Sequence, residues 1–253
     1  MNTWIRVAIV FLCLVAVSAP AVARAAEENN FVYLTEDAPP QNFLKDGEPQ
    51  GLAVDILKEM WTRMGMKPGK IRLVPWTQGY RQALSTPNTV IFATSRLEDR
   101  ENLFKWVGPI RTPRLGLIAK REKRLKLTSL SDIKDYRVAT VIDDASELFL
   151  LSRKVPSKNL VRVTTLKAAV HKLTCGSVDM IAYGEENVWY YFKGHGINRK
   201  EYEKLLTISG QADFYAFNKE TPDAVIKRFQ DAFLSLKKDG TYNRLLVKYG
   251  TVD

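Results

Sequence analysis

Short strand-like and helix-like segments alternate along most of this chain. Strand formers fill Val90 to Ala93, for example, and apolar residues recur at helical spacing from Leu52 to Met64, with Gly65 as a stop. Alternation of this kind is typical of sheets whose strands are connected by helices packed on their faces. The sequence therefore predicts an α/β protein.

The alternation falls into two halves followed by a helical tail. The second half begins near Ala119 and ends near Gln211, and two predicted helices, residues 222–238 and 242–248, end the chain. A helical tail after a strand would pack back on the first half. We therefore predict a discontinuous first lobe of residues 26–118 and 212–253 and a second lobe of residues 119–211, with two chain crossings between them.

The N-terminus has the pattern of a secretory signal peptide, predicted at residues 1–25. Arg6 precedes an apolar run from Val7 to Val17, and Ala23-Arg24-Ala25 supplies a small-x-small cleavage pattern. The apolar run is short for a membrane-spanning helix, although a retained anchor is the alternative. We expect cleavage near Ala25 and a periplasmic mature protein.

The mature chain is basic and keeps one cysteine. The full chain has 38 Lys+Arg and 28 Asp+Glu, and the signal peptide removes two arginines, which leaves a net charge of +8. This charge favours anionic surfaces or anionic small molecules. The basic residues are scattered and no nucleic-acid motif occurs, so nucleic acid is not an expected partner. Cys175 is left without an intramolecular disulfide partner, and we expect it to be a buried small hydrophobe.

The sequence lacks the signatures of several common enzyme classes. It contains no Gly-x-Ser-x-Gly, His-Glu-x-x-His or phosphate-loop pattern, and only two histidines, His171 and His195. We therefore expect no catalysis, no metal and no other cofactor.

An arginine-containing turn follows the strand at Val90 to Ala93. Arg96 and Arg100 lie near Ser95, and a guanidinium beside a hydroxyl is suited to hold a carboxylate, because its planar fork donates two parallel hydrogen bonds. The alternative is a solvated turn in which the arginines pair with nearby acidic side chains. These residues are Glu98, Asp99 and Glu101.

Several short motifs occur along the chain in the order found in one family. They are Asp46-Gly47, Gly51-Leu52-Ala53-Val54-Asp55-Ile56, the arginine turn before Trp106 and Pro109, Leu130-Ser131-Asp132-Ile133, Gly176-Ser177-Val178-Asp179 and Asp239-Gly240-Thr241-Tyr242. With them the chain resembles the family 3 extracellular solute-binding proteins, the periplasmic polar amino-acid receptors of ABC importers. The resemblance covers essentially the whole mature chain.

The resemblance implies the two-lobed type II periplasmic-binding-protein fold, in which each lobe is a mixed sheet flanked by helices and two hinge strands join the lobes. It implies a monomer that captures a small carboxylate-bearing solute, an amino acid or a close relative, and delivers it to an ABC permease in the inner membrane. One alternative is a ligand-sensing domain for a membrane signalling partner. Another is a cyclohexadienyl-dehydratase-like enzyme on the same fold, with Glu185 or Asp144 as the acid.

At the anion end of the ligand, the resemblance places a carboxylate clamp at Arg100 with Ser95 beside it. Arg96 has no counterpart in the common family pattern. It either contacts the anion as well or pairs with an acidic side chain of the turn, Glu98 or Glu101.

At the other end of the ligand, the chain departs from the family pattern. The helix-capping Gly-Thr/Ser of the family falls on Asp143-Asp144, its stacking aromatic on Ala38 and its ammonium-binding aspartate on Gly184. Asp144 or Glu185 replaces the missing carboxylate, or the ligand has no α-ammonium. The sequence leaves both possibilities open.

Four further residues are candidates for the cleft wall. Trp76 and Tyr80 follow a strand of the first lobe, although this spacing is also typical of core packing. Tyr183 follows a predicted strand of the second lobe, Val178 to Ala182. Glu36 follows the first strand and either accepts a hydrogen bond from the ligand or is a solvated loop residue.

Overall fold

The computed structural model describes residues 30–208 and 210–250. The predicted signal peptide lies outside these residues. The described strands are β1 Val32–Thr35, β2 Phe43–Lys45, β3 Glu48–Gln50, β4 Lys70–Leu73, β5 Thr89–Ser95, β6 Phe104–Arg111, β7 Leu115–Lys120, β8 Val138–Val141, β9 Leu160–Val163, β10 Met180–Gly184, β11 Tyr202–Ile208 and β12 Asp213–Asn218. The described helices are α1 Leu52–Met64, α2 Trp76–Ser85, α3 Ala145–Ser152, α4 Leu166–Thr174, α5 Glu185–Gly194, α6 Asp223–Lys238 and α7 Thr241–Lys248.

The first sheet has the strand order β4-β1-β5-β12-β6. β1 runs parallel to β4 and β5, and β12 runs antiparallel to β5 and β6. Helices α1 and α6 share a buried apolar cluster with this sheet, built on Trp61, Phe92, Phe217 and Phe229. The helical tail therefore packs on the first sheet, and we call this part of the protein lobe 1.

The second sheet has the strand order β11-β7-β10-β8-β9. β8 runs parallel to β9 and β10, whereas β7 runs antiparallel to β10 and β11. Helices α4 and α5 bury Val170 and Val188 against it. We call this part lobe 2. Both sheets are mixed, as expected.

The chain passes between the sheets twice, from β6 to β7 and from β11 back to β12. β7 already belongs to the second sheet at Leu115. The lobe limits at residues 118 and 211 stay a prediction. One buried cluster contains residues of both lobes, among them Leu34 and Trp76 of lobe 1 with Ile118 and Ala139 of lobe 2, so the two sheets do not have wholly separate cores.

The start of α1 is attached to the loop that follows β1. The backbone N–H groups of Leu52 and Ala53 donate to the carbonyl oxygens of Pro40 and Gln41, at 3.1 and 3.0 Å. Gly51 precedes them with φ +128°, a backbone conformation that L side chains rarely adopt. These bonds satisfy two of the N–H groups that a helix start leaves unpaired, and they hold the Pro40–Gln41 segment in place.

Cys175 corrects one expectation, because it is exposed rather than buried. The apolar face of α4 buries Leu166, Val170 and Leu173. Cys175 follows the last helical residue as the C-cap, beyond the reach of that face.

Candidate functional site

A cavity lies between the two lobes. It contains about 430 Å³ of space between atoms, part of it open to solvent. Lobe 1 lines it with Glu36, Ala38, Gln41, Asn42, Ala93, Ser95 and Asp213, lobe 2 with Asp144, Ala145, Tyr183, Gly184 and Asn187, and the first crossing with Pro113 and Leu115. Crevices at the ends of strands in α/β proteins are common sites for small ligands.

Strand ends place the polar groups of the wall. Glu36 follows β1 and Ser95 ends β5, and these strands are parallel neighbours. In lobe 2, Asp144 follows β8 and Tyr183 lies near the end of the parallel strand β10. Because parallel neighbours end at the same edge of a sheet, each lobe presents these side chains to the cleft.

Three carboxyl groups share the wall: Glu36, Asp144 and Asp213. Burial raises the pKa of each, to about 8 for Glu36 and about 7 for Asp213, and the charge of Asp144 adds to both of those shifts. The Ser95 hydroxyl donates to Asp213 Oδ1 at 2.8 Å, and the Tyr183 hydroxyl lies within hydrogen-bonding reach of Glu36. The wall is thus rich in acceptors, and Glu36 keeps its proton near neutral pH.

Arg100 lies beside the cavity with its guanidinium already bonded. Nη2 donates to the backbone carbonyl of Asp143 at 2.7 Å, and Nη1 donates to that of Ser95 at 3.2 Å. Only 3% of Arg100 is exposed. Because Asp143 belongs to lobe 2, Arg100 connects the lobes in this conformation. Its predicted role as a carboxylate clamp stays a prediction.

Trp76 and Tyr80 pack around Arg100 and are not among the residues that line the cavity. The guanidinium carbon of Arg100 lies 5.1 Å from the centroid of each ring. Trp76 Nε1 donates to the backbone carbonyl of Asp143 at 3.0 Å. One carbonyl of lobe 2 therefore accepts hydrogen bonds from two side chains of lobe 1.

Arg96 forms an ion pair with Glu101 and does not line the cavity. Its Nε donates to Glu101 Oε2 at 2.7 Å, and its guanidinium lies over the rings of Trp106 and Phe214. Of the two alternatives that the sequence left open, the structure contains the ion pair. Since both charges are paired within the turn, Arg96 is not placed as a second anion contact.

Glu185 also lies outside the cavity wall. Its carboxylate accepts a hydrogen bond from the Thr207 hydroxyl at 3.3 Å and lies 3.3 Å from Lys204 Nζ. Both partners belong to β11, so Glu185 is turned toward that strand. Asp144 is the predicted replacement carboxylate that reaches the cavity.

The comparison with protein families gives one match. The model of the bacterial extracellular solute-binding proteins, family 3, matches residues 32–252. The chain belongs to this family. The predicted family is thereby confirmed, and a comparison with curated protein sequences gave no significant match.

Solved structures share the fold of this family 3 protein. A histidine kinase sensor domain with similarity to periplasmic binding proteins has a TM-score of 0.79 and 22% identity, over 87% of this chain and 95% of its own. An ancestral arginine-binding protein bound to arginine has a TM-score of 0.77 and 20% identity, over 87% of this chain and 97% of its own. The arginine-, lysine-, histidine-binding protein ArtJ from the thermophilic bacterium Geobacillus stearothermophilus has a TM-score of 0.77 and 15% identity, over 88% of this chain and 96% of its own. These likenesses confirm the predicted type II periplasmic-binding-protein fold.

Residues 30–208 and 210–250 of the family 3 protein lack two features that would suggest other roles. No helix in these ranges has the length and apolar character needed to span a membrane. Nor do these residues contain a group of three or more His, Cys, Asp and Glu side chains that could hold a metal ion.

Gly184 leaves room in this family 3 protein for a second contact between the lobes. A Cβ atom at Gly184 would lie 2.1 Å from Asn187 Oδ1. Asn187 Nδ2 donates to the backbone carbonyls of Ala38 and Pro39, at 3.0 and 2.9 Å. We call these two bonds the Asn187 latch. The position at which the resemblance implies an ammonium-binding aspartate thus accommodates a side chain that joins the lobes.

Sequence reasoning missed Asp213, Asn187, Gln41 and Asn42 on the wall. Asp213 reaches it because β12 pairs with β5 in a register that sets Asp213 opposite Ser95. An acidic residue at the start of a predicted strand was the available signal. The register with a strand more than 100 residues earlier cannot be read from local sequence.

We expect the family 3 protein without a solute to lose stability between about pH 5 and pH 8. The unfolded chain releases the protons of Glu36 and Asp213 near pH 4, whereas the folded protein keeps them up to about pH 8 and pH 7. The folded state therefore binds more protons in this range, and the free energy of unfolding falls as the pH rises. Guanidinium unfolding at several pH values measures this change.

The variant Glu36→Gln, which carries no titrating proton, is expected to flatten that pH dependence. Glu98→Gln is the matched control, because Glu98 is exposed in the turn after β5. An identical slope in Glu36→Gln and the native protein, or stability that rises with pH, would contradict the assignment.

Proposed function

We propose that this protein captures a small polar solute between its lobes in the periplasm and delivers it to an ABC permease of the inner membrane. The observation that carries the proposal is a cavity with walls from both lobes, where a solute would touch Asp213 of lobe 1 and Asp144 and Tyr183 of lobe 2. A ligand that contacts both lobes favours the closed arrangement. The amino-acid-binding proteins among the structural neighbours support this role.

The solute class predicted from the sequence is an amino acid or a close relative with a carboxylate. Arg100 is the residue that would hold the carboxylate. Two of its N–H donors bond the carbonyls of Ser95 and Asp143, so a carboxylate would have to use the remaining donors or replace one of these carbonyls. A solute panel for this protein therefore has to contain amines and acids alike.

Purified protein is expected to bind its solute without turnover. A bound solute at about 100 times its Kd adds about 2.7 kcal/mol to stability and raises the Tm. Thermal shift over a panel of amino acids, organic acids and amines measures this effect, and mass spectrometry of denatured protein identifies any solute that copurifies.

Two substitutions in one helix provide the control for that panel. Ala145 lies on the cavity wall, so Ala145→Leu fills space there and is expected to abolish the Tm shift. Ser152 is exposed at the other end of α3, and Ser152→Leu is expected to leave the Tm shift unchanged. A panel without any shift, together with no copurified solute, would refute the proposal. Conversion of a cyclic dienyl acid would instead favour the dehydratase-like alternative.

A sensing role is the second candidate. The likeness to a histidine kinase sensor domain, with a TM-score of 0.79, favours it. Neighbouring permease and ATPase genes, with loss of labelled-solute uptake on deletion, would support transport. A neighbouring sensor kinase gene and loss of a transcriptional response would support sensing.

The proposal includes a monomer with a cleaved signal peptide. N-terminal sequencing of protein from a periplasmic extract should begin near Ala26. Light scattering after size-exclusion chromatography gives the mass of the species that binds the solute.

A further inference from the structure

Resting on the proposed function, we propose that the solute is a small primary amine without a carboxylate. Its ammonium group would be held by the carboxylates of Glu36, Asp144 and Asp213 and by the amide oxygen of Asn42, which all belong to the cavity wall. This class differs from the amino acids that the sequence predicts. Four observations lead to it.

Unpaired acceptors line the cavity in addition to the carboxyl groups. Asn42 is fully buried, and its Nδ2 donates to the backbone carbonyl of Glu36 at 2.8 Å, which fixes the orientation of the amide. Its Oδ1 is buried without a hydrogen-bond partner, as is Oε1 of Gln41, a residue that is 3% exposed. A buried acceptor without a partner is unfavourable, because it has lost its hydrogen bond to water. A donor in the cavity would remove that cost.

Three donors of the wall, in contrast, are already engaged. The Ser95 hydroxyl donates to Asp213, and the Tyr183 hydroxyl lies against Glu36. Both bonds of Asn187 Nδ2 go to the carbonyls of Ala38 and Pro39. A solute that brings N–H donors therefore finds partners in the wall, whereas a solute that brings acceptors has to displace these bonds or use the amide of Gln41.

The positions for an anion are filled by the chain itself. The Asp144 carboxylate caps α3 and accepts the N–H of Ser146 at 2.8 Å, so it occupies the helix start at which the resemblance implies a bound carboxylate. Arg100 donates to the carbonyls of Ser95 and Asp143. A solute carboxylate would face these bonded groups and an acidic wall, whose ionised carboxylates repel it.

The wall also favours an ammonium with N–H groups over a quaternary one. Quaternary ammonium groups bind in aromatic cages. Among the residues that line the cavity, Tyr183 is the aromatic one. The rings of Trp76 and Tyr80 are occupied by the guanidinium of Arg100. An R–NH₃⁺ group has three donors for the acceptors of the wall.

Matched pairs of compounds test the proposal. Ethanolamine and serine, putrescine and ornithine, and agmatine and arginine each differ by one carboxylate. Isothermal titration calorimetry with the full mature protein is expected to give a Kd at least about tenfold lower for the amine of one or more pairs, since the carboxylate lacks a partner and is repelled. Choline and Ca²⁺ serve as comparison cations and are expected not to compete.

Proton release gives a second readout. Near pH 7 Glu36 is protonated, and it faces Asp37, Asp144, Asp213 and Tyr183. Asp213 faces Ser95, Arg100, Arg111 and Asp144. A bound ammonium favours the ionised carboxylates, so binding should release protons, and the affinity for the amine should rise between about pH 6 and pH 8. Titrations in buffers of different ionisation enthalpy count these protons.

Variants of the wall complete the test. Glu36→Gln is expected to weaken amine binding about tenfold or more and to reduce proton release, and Asp213→Asn should do the same, whereas Glu98→Gln changes neither. Tighter binding of the amino acid in every pair, or of choline or Ca²⁺, would overturn the inference while the proposed binding function stands. If no compound binds and no solute copurifies, both fail.

Discussion

Replacing Gly51 by alanine is expected to lower the free energy of unfolding by about 3 kcal/mol or more, because two costs add. The backbone at Gly51 has φ +128°, and a Cβ atom there would lie 2.2 Å from the carbonyl oxygen of Gln41. That carbonyl accepts the N–H of Ala53 in the first turn of α1. The substitution therefore strains the backbone and pushes Gln41, a residue of the cavity wall, away from the helix. Guanidinium unfolding measures the loss.

Gly47→Ala is the matched control for Gly51→Ala. Gly47 also has a positive φ, +81°, but a Cβ atom there would meet no atom within 4 Å. Its cost is limited to the conformational strain, about 1–2 kcal/mol. Equal losses in the two variants would show that the close approach of Gly51 to Gln41 does not contribute to stability.

The variant Arg100→Ala is expected to lose about 2–4 kcal/mol of stability, because it removes a buried guanidinium together with its hydrogen bonds to two backbone carbonyls. These carbonyls belong to Ser95 and Asp143. It also removes the guanidinium that packs against Trp76 and Tyr80. Because one of the lost bonds joins the lobes, we also expect a larger radius of gyration in solution scattering.

Arg96→Ala, four residues earlier, is the internal comparison. Arg96 is paired with Glu101 at the surface, where such ion pairs contribute about 0–1 kcal/mol. The scattering profile is expected to stay that of the native protein. If Arg96→Ala were as damaging as Arg100→Ala, burial and contact between the lobes would not explain the effect of Arg100.

Elements with a clear local signal could be predicted closely from the sequence. α1 has the predicted limits, Leu52–Met64, because its apolar positions follow the helical period and Gly65 ends it in the left-handed conformation. β6 was harder to recognise, because it continues through Gly108-Pro109 to Arg111. It does so as an edge strand of the first sheet, a position where proline is tolerated. The hairpin of β2 and β3 encloses Asp46-Gly47, which the sequence analysis used only as a family motif.

The candidate site was harder to predict because it depends on contacts between distant segments. Glu36, Ser95, Asp144 and Tyr183 lie on the wall because they are at or next to strand ends, and strand ends are visible in the sequence. The bond from Arg100 to the Asp143 carbonyl was not visible, since it depends on how the lobes meet. The resemblance located Arg100 but could not show that its guanidinium group donates a hydrogen bond to a backbone carbonyl of the other lobe.

In the proposed capture of a solute, the Asn187 latch would favour the closed lobes for every solute alike. Its two hydrogen bonds go to backbone carbonyls of Ala38 and Pro39, which are present whether or not a solute is bound. Differences in residence time would therefore come from the contacts that each solute makes in the cleft. Two solutes of different affinity that fit the same cleft would then enter at similar rates and differ mainly in how long they stay.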